Sequence, residues 1–322
     1  MPDSSKTEAE RVMQREFRKV VALLACATLA GLVLIAAYVF HGQPDRIELG
    51  RRQLWLGYER ISLGADHIGP FAITGAWRVR VDDPRFGGIS ALAIDRSAFL
   101  ALSDSGVVAR FPKPGTDHPS VLLDELPGGP GNRGFKYNRD SEAIAADPKG
   151  RGWWVAFENR NALWLFDQGF DRVLERQAID APEFARNRGV EAMVADRGRL
   201  LLFAERGGRA LSVDGLSKNV RGVSGWISDA VQLGDGGLLI ANRTPTPLGL
   251  SNRLALLRPD RNGYVQQAAW RIPVDRLANV EALALETQPD GALRLWMMTD
   301  NNLQQRRPTL LIALELRPRP AR

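Results

Sequence analysis

Residues 139–167 read RDSEAIAADPKGRGWWVAFENRNALWLFD. Glu142 leads a short apolar run, Ala143–Ala146, and Asp147-Pro148-Lys149-Gly150 turns the chain. Trp153–Phe157 runs back, Glu158-Asn159-Arg160-Asn161 makes a second turn, and Leu163–Phe166 leaves again. Short β-prone runs bounded by Gly, Pro, Asn and Asp clusters are the signature of strands joined as hairpins.

The same unit recurs along the chain. Phe86–Leu92 leads to Phe99–Leu102 and then Ser103-Asp104-Ser105-Gly106. Gly189–Met193 leads to Leu200–Ala204 and then Glu205-Arg206-Gly207-Gly208. Trp226–Val231 leads to Leu238–Ala241 and Asn242-Arg243, and Asn279–Leu283 leads to Leu293–Thr299 and Asp300-Asn301-Asn302. Two polar columns result: Ser90, Glu142, Glu191, Asp229 and Glu281 open the first strands, while Asp104, Glu158, Glu205, Asn242 and Asp300 follow the second. Copies start roughly 40–50 residues apart, the period of propeller blades.

The spacing predicts an all-β fold, a six-bladed β-propeller over residues 51–318. The sixth blade is expected from the weaker strands Leu54–Tyr58, Phe71–Thr74 and Trp77–Val81, with Leu310–Leu316 from the C-terminus closing the ring. With 322 residues, 44% of them hydrophobic, the chain can bury a core of that size.

A polar segment, 1–19, carries Arg11, Arg15, Arg18 and Lys19; Val20–Phe40 then has no charged residue. About 20 apolar residues suffice to cross a bilayer. The run ends Ala-Ala-Tyr-Val-Phe rather than on a cleavage site, so the expectation is one uncleaved N-terminal transmembrane helix, 20–40. Basic residues before it place 1–19 in the cytoplasm. The expected location is therefore the cytoplasmic (inner) membrane, single-pass, with the propeller on the periplasmic or extracellular side after a tether, 41–50. The one cysteine, Cys26, falls inside the apolar run, which excludes an intramolecular disulfide.

Formal charge is +6, but no basic helix, RNA-binding sheet motif or zinc finger occurs, so no nucleic-acid partner is expected. Three histidines, at 41, 67 and 118, lie in the tether and loops, and no G-x-S-x-G elbow, P-loop or H-E-x-x-H occurs. Residues 112–138 form an irregular insertion. Its Gly-rich part neither follows a buried strand nor opens a helix, so a dinucleotide site is excluded and a loop over one end of the propeller is expected.

The acidic columns carry the chemistry. In an antiparallel hairpin the start of the first strand lies beside the end of the second, so both columns converge on one rim. A single acidic residue at a strand end often only caps a turn; recurrence in both columns singles out the set. Clustered carboxylates repel unless cations neutralise them, and hard oxygen ligands suit calcium or magnesium. The expected metal ligands are Glu142, Glu158, Glu191, Glu205, Asp229, Glu281 and Asp300, with Glu191 and Glu142 as catalytic carboxylates. Arg188 precedes Glu191 in sequence. Arg160, Arg206 and Arg243 adjoin the second column and are the expected binders of an anionic or ester substrate. The tryptophans at 153, 154, 164, 226 and 296 are expected to pack blades.

FGGISAL (86–92), RDSEAIA (139–145), RGVEAM (188–193), ISDAVQLGDGGLLIANR (227–243) and VEALAL with MMTDNN (280–285, 297–302) resemble the phytase-like domain, or esterase-like activity of phytase, over about residues 50–316. The resemblance implies a β-propeller and calcium-assisted hydrolysis of phosphate or other esters, a lactonase-like hydrolase being a close variant. Ser90 and Asn242 interrupt the acidic columns. A non-catalytic envelope module that binds an anionic ligand or a protein is the alternative reading.

Overall fold

The computed structural model describes residues 4–41, 50–184, 189–304 and 307–317. The chain divides into two units, Met1–Arg46 and Ile47–Arg322.

In the second unit, each sequence copy folds as a four-stranded antiparallel meander. Blade I is Ile89–Asp95, Ala98–Ser103, Val107–Phe111 and Ser120–Glu125; blade II is Ser141–Ala146, Gly152–Phe157, Ala162–Asp167 and Val173–Ala178. Blade III is Val190–Asp196, Arg199–Ala204, Arg209–Ser212 and Ser217–Arg221; blade IV is Trp226–Gln232, Leu238–Thr246, Gly249–Asp260 and Gly263–Arg271. Blade V takes Asn279–Thr287, Leu293–Asp300 and Thr309–Leu316 from the C-terminal part, and its outer strand, Phe71–Val81, from the N-terminal part.

The innermost strands close a ring: I lies against II, II against III, III against IV, IV against V and V against I. Burial follows the same symmetry, with one apolar cluster between each pair of neighbouring blades. Between V and I, for instance, Trp296 meets Phe99 edge to face at 4.9 Å. Trp153, Trp154 and Trp296 are buried in these interfaces, as expected of packing tryptophans.

Among the described residues the ring thus has five blades, not the expected six. The N-terminal strands supply no blade of their own. Phe71–Val81 completes blade V beside Thr309–Leu316, so the expected mixing of both ends of the chain is present, one blade earlier. Arg52–Arg60 pairs with Phe71–Val81 through its second half and with Ser120–Glu125 through its first, joining blade V to blade I. Such pairing satisfies backbone groups that an edge strand would leave open.

The first unit contains the helix Ser4–His41. Among the described residues no helix is long and apolar enough to cross a membrane, which overturns the expected single-pass anchor at 20–40 and, with it, the inner-membrane location. Arg15, Glu16, Arg18 and Lys19 take up the earlier turns of that helix. Cys26 is an exposed free thiol. The tether expected at 41–50 falls mostly outside the described residues.

Candidate functional site

Every inner strand carries a β-bulge at its second or third residue. The register against the neighbouring strand slips between Ile89 and Ala91, Ser141 and Ala143, Val190 and Ala192, Ile227 and Asp229, and Val280 and Ala282. The bulged residues are therefore Ser90, Glu142, Glu191, Ser228 and Glu281. A bulge re-aims one side chain while the strand continues, a common device beside active sites. In four blades a buried alanine follows (Ala91, Ala143, Ala192, Ala282), leaving room for neighbouring inner strands to approach.

The second ring is set by the same register. Ile89, Ser141, Val190, Ile227 and Val280 pair with Ser103, Phe157, Ala204, Asn242 and Thr299. The residues that follow those partners are Asp104, Glu158, Glu205, Arg243 and Asp300. A cavity of about 280 Å³ is lined by Ser90, Asp104, Glu142, Glu158, Glu191, Glu205, Arg243, Glu281 and Asp300, with Gly88, Ile89 and Asn302. Two rings from five blades thus meet at one site.

Blade IV departs from the expected columns by one residue in each. Asp229, expected as a metal ligand, is not in the cavity. Its carboxylate is buried and accepts the backbone N–H of Ala230 at 2.7 Å and of Leu283, on blade V, at 2.6 Å. Asn242 is likewise withdrawn, donating to the Ser224 carbonyl. Arg243 takes the ring position instead. Its guanidinium bonds the Glu281 carboxylate, lies 3.5 Å from Glu205, and donates to Asn279 Oδ1 at 3.1 Å.

Of the other expected arginines, neither lines the cavity. Arg160 donates to Asn138 Oδ1 at 2.9 Å and lies over the Tyr137 ring, while Arg206 is exposed. Arg188 lies outside the described residues. Glu142, Glu158, Glu191, Glu205, Glu281 and Asp300 stand where the columns place them.

Two further groups enter from the loop between blades I and II. Asp140, Glu142 and Glu158 present carboxylate oxygens within 4.8 Å of one another, a spacing that one cation can span. Lys136 Nζ lies 3.1 Å from Asp104 and 3.2 Å from Asp140. Asp140 directly precedes the strand in the RDSEAIA stretch, so its place at the rim was readable. Lys136 lies in a loop without counterpart in the other copies, and no repeat signal marks it. Blades II and III meet closely here: a Cβ on Gly189 would come within 2.6 Å of the Glu158 backbone.

The electrostatics follow from burial and crowding. Burial pushes the Glu142 carboxyl well above its ordinary range, and Asp140 and Glu191 add repulsion. Glu191 is pushed up to about 8, chiefly by burial, with Arg243 opposing and Glu158 and Glu205 reinforcing. Glu191 is 7% exposed and lines the cavity without a hydrogen-bond partner among the described residues. Asp300 rises to about 7 through burial and the Asp104 charge, and Glu158 is raised by burial and Asp140. Seven ring carboxylates face one ring guanidinium, an arrangement that a bound cation relieves.

Residues 84–224 match the model of the phytase-like family, described as esterase-like activity of phytase. No curated protein matches the chain. Among solved structures, it is similar to glutaminyl cyclase from Myxococcus xanthus, at 11% identity and a TM-score of 0.46, covering 84% of this chain and all of that one. It is also similar to a protein of unknown function from Bacteroides caccae, at 13% identity and a TM-score of 0.43, covering 78% of this chain and 90% of that one. Similarities this weak carry no argument about activity.

Proposed function

We propose that the cavity holds a divalent cation, calcium by the all-oxygen character of its donors, and hydrolyses a phosphate or carboxylic ester. The observation that carries this reading is the convergence of Asp140, Glu142 and Glu158 within 4.8 Å, beside the buried Glu191, which has no hydrogen-bond partner among the described residues. Hard, flexible oxygen sets suit calcium. The description of the matched family, esterase-like activity of phytase, points the same way.

When bound, calcium supplies Lewis-acid polarisation of the ester and lowers the pKa of a water. The chain's own residues do the rest. Asp140, Glu142 and Glu158 hold the cation. Glu191, once ionised, accepts a proton at its carboxylate from the attacking water; burial holds its own proton up to about 8, and nearby positive charge, that of Arg243 included, favours the ionised form. Arg243, oriented by Glu281 and Asn279, presents its guanidinium to an anionic substrate oxygen. A site with this excess of carboxylates repels an anion in the absence of a cation. Arg160 and Arg206, which an anion-binding module would need, face elsewhere.

The test is a panel of phosphomonoesters, phytate, acyl esters and lactones, assayed with chelator and with calcium restored. Calcium-dependent turnover of one class is expected, falling about 10²- to 10⁴-fold in Glu191→Gln. Absence of cation-dependent turnover across the panel overturns the hydrolase reading.

A further inference from the structure

The cavity's flank between blades I and II already contains a positive charge. Lys136 opens a short 3-10 turn, Lys136–Asn138, in the loop that links the two blades. Its ammonium lies 3.1 Å from Asp104 Oδ2 and 3.2 Å from Asp140 Oδ1, and the three side chains are only 19%, 22% and 17% exposed. Asp140 is shared, because it also faces Glu142 and Glu158 in the group of carboxylates suited to a cation. The other oxygen of Asp104, Oδ1, is buried and has no hydrogen-bond partner among the described residues. Asp300 lines the same side of the cavity, its carboxyl raised by burial and by the Asp104 charge.

The loop is built to deliver this ammonium. Arg139 Nη1 donates to the Pro130 carbonyl at 2.6 Å, Asn138 Nδ2 to the Asn132 carbonyl at 2.8 Å, and Arg160 Nε to Asn138 Oδ1 at 2.9 Å. These bonds close the loop on itself and on blade II. An ammonium is a compact point charge that donates in three directions, so it replaces a small cation among carboxylates better than a planar guanidinium does.

We propose that Lys136 is a built-in cation filling the second of two adjoining cation positions bridged by Asp140, so that the native chain takes up one divalent ion where its carboxylates would hold two. The orphaned oxygen of Asp104 is what a second metal ion would engage if the lysine were absent. This inference rests on the cation-binding reading above, and its test separates the two.

The experiment counts calcium ions bound to chelator-treated protein, by isothermal titration and by native mass spectrometry, for the native chain, Lys136→Met and Lys136→Arg. One ion is expected for the native chain and for Lys136→Arg, which keeps the charge, and two for Lys136→Met. Lys136→Met should also melt lower than the native chain in chelator and gain more from added calcium, since the lost ammonium leaves two carboxylates unpaired. Equal counts for the native chain and Lys136→Met overturn the lysine proposal and leave the single-ion site standing. No ion in the native chain but one in Lys136→Met points to a single position that the lysine fills, and overturns both the two-position proposal and the resident cation. No uptake by either overturns both, and a Lys136→Met chain that stays unfolded in millimolar calcium overturns the lysine proposal.

Discussion

Ser90 and Ser228 occupy the same bulge on blades I and IV and make the same bonds. Ser90 Oγ donates to the Ser141 carbonyl on blade II at 2.6 Å and lies 3.3 Å from the Leu102 carbonyl of its own blade. Ser228 Oγ donates to the Val280 carbonyl on blade V at 2.7 Å and lies 3.3 Å from the Ala241 carbonyl. At these two bulges a short hydroxyl stitches neighbouring inner strands, whereas the glutamates at the other three reach the cavity.

Replacing either serine by alanine should therefore loosen the ring without touching the carboxylates. Each change leaves a buried carbonyl without its donor and should cost about 1–3 kcal/mol, read from urea unfolding midpoints. Calcium affinity should be unchanged in Ser228→Ala; a large loss of affinity there would argue that the bulge serine belongs to the cation site.

Asp229 and Glu191 separate structural from functional carboxylates. Asp229→Ala removes the acceptor of the Leu283 N–H and should lower stability by about 1–3 kcal/mol while calcium uptake persists. Glu191→Gln should do the reverse, folding normally but binding calcium more weakly. Thermal melts and calorimetry on both variants check the pair, and equal loss of affinity in the two would contradict the ring assignment.

The metal-free protein should lose stability as pH rises. Glu191 titrates at about 8 in the fold against an ordinary 4.5. A raised acid binds more protons folded than unfolded, so its favourable contribution is present below pH 4.5 and disappears as pH climbs through about 8. Melting temperatures in chelator should fall across that window, flatten in Glu191→Gln, and recover when calcium is added to the native chain.

Acid should act through a different residue. Asp147, buried at the turn of blade II, accepts from Arg151 Nε at 2.8 Å and Trp154 Nε1 at 2.8 Å. The Arg151 bond, together with Trp154, lowers its carboxyl to about 2 from 3.8. Here the contribution is present above pH 3.8 and is lost as pH falls toward 2. Asp147→Asn should remove that acid limb from the pH–stability curve and lower the neutral-pH melting temperature.

Much of this architecture is legible in the chain itself. Hairpins such as Arg139–Asp167 declare themselves by turn residues at fixed spacing, because turn chemistry and strand alternation are local properties. The acidic residues beside those hairpins mark the rim for the same reason. Aligning Ile89, Val190, Ile227 and Val280 in one column would also have put Ser228 rather than Asp229 in the bulge. The charge of Asp229 masks that register, and a slip of one residue turns a side chain to the opposite face.

The tertiary structure alone decides the rest. Phe71–Val81 has the composition of a strand, but its hydrogen-bond partner lies at the far end of the chain, and pairing at such separation leaves no local trace. That one partnership makes five blades where a count of strands suggests six. Asp229 and Glu191 look equivalent in sequence, yet one carboxylate meets backbone N–H groups and the other an open cavity, because neighbouring blades differ in what they place opposite. Lys136 belongs to no repeat at all; its charge matters because a folded loop sets it 3.1 Å from Asp104.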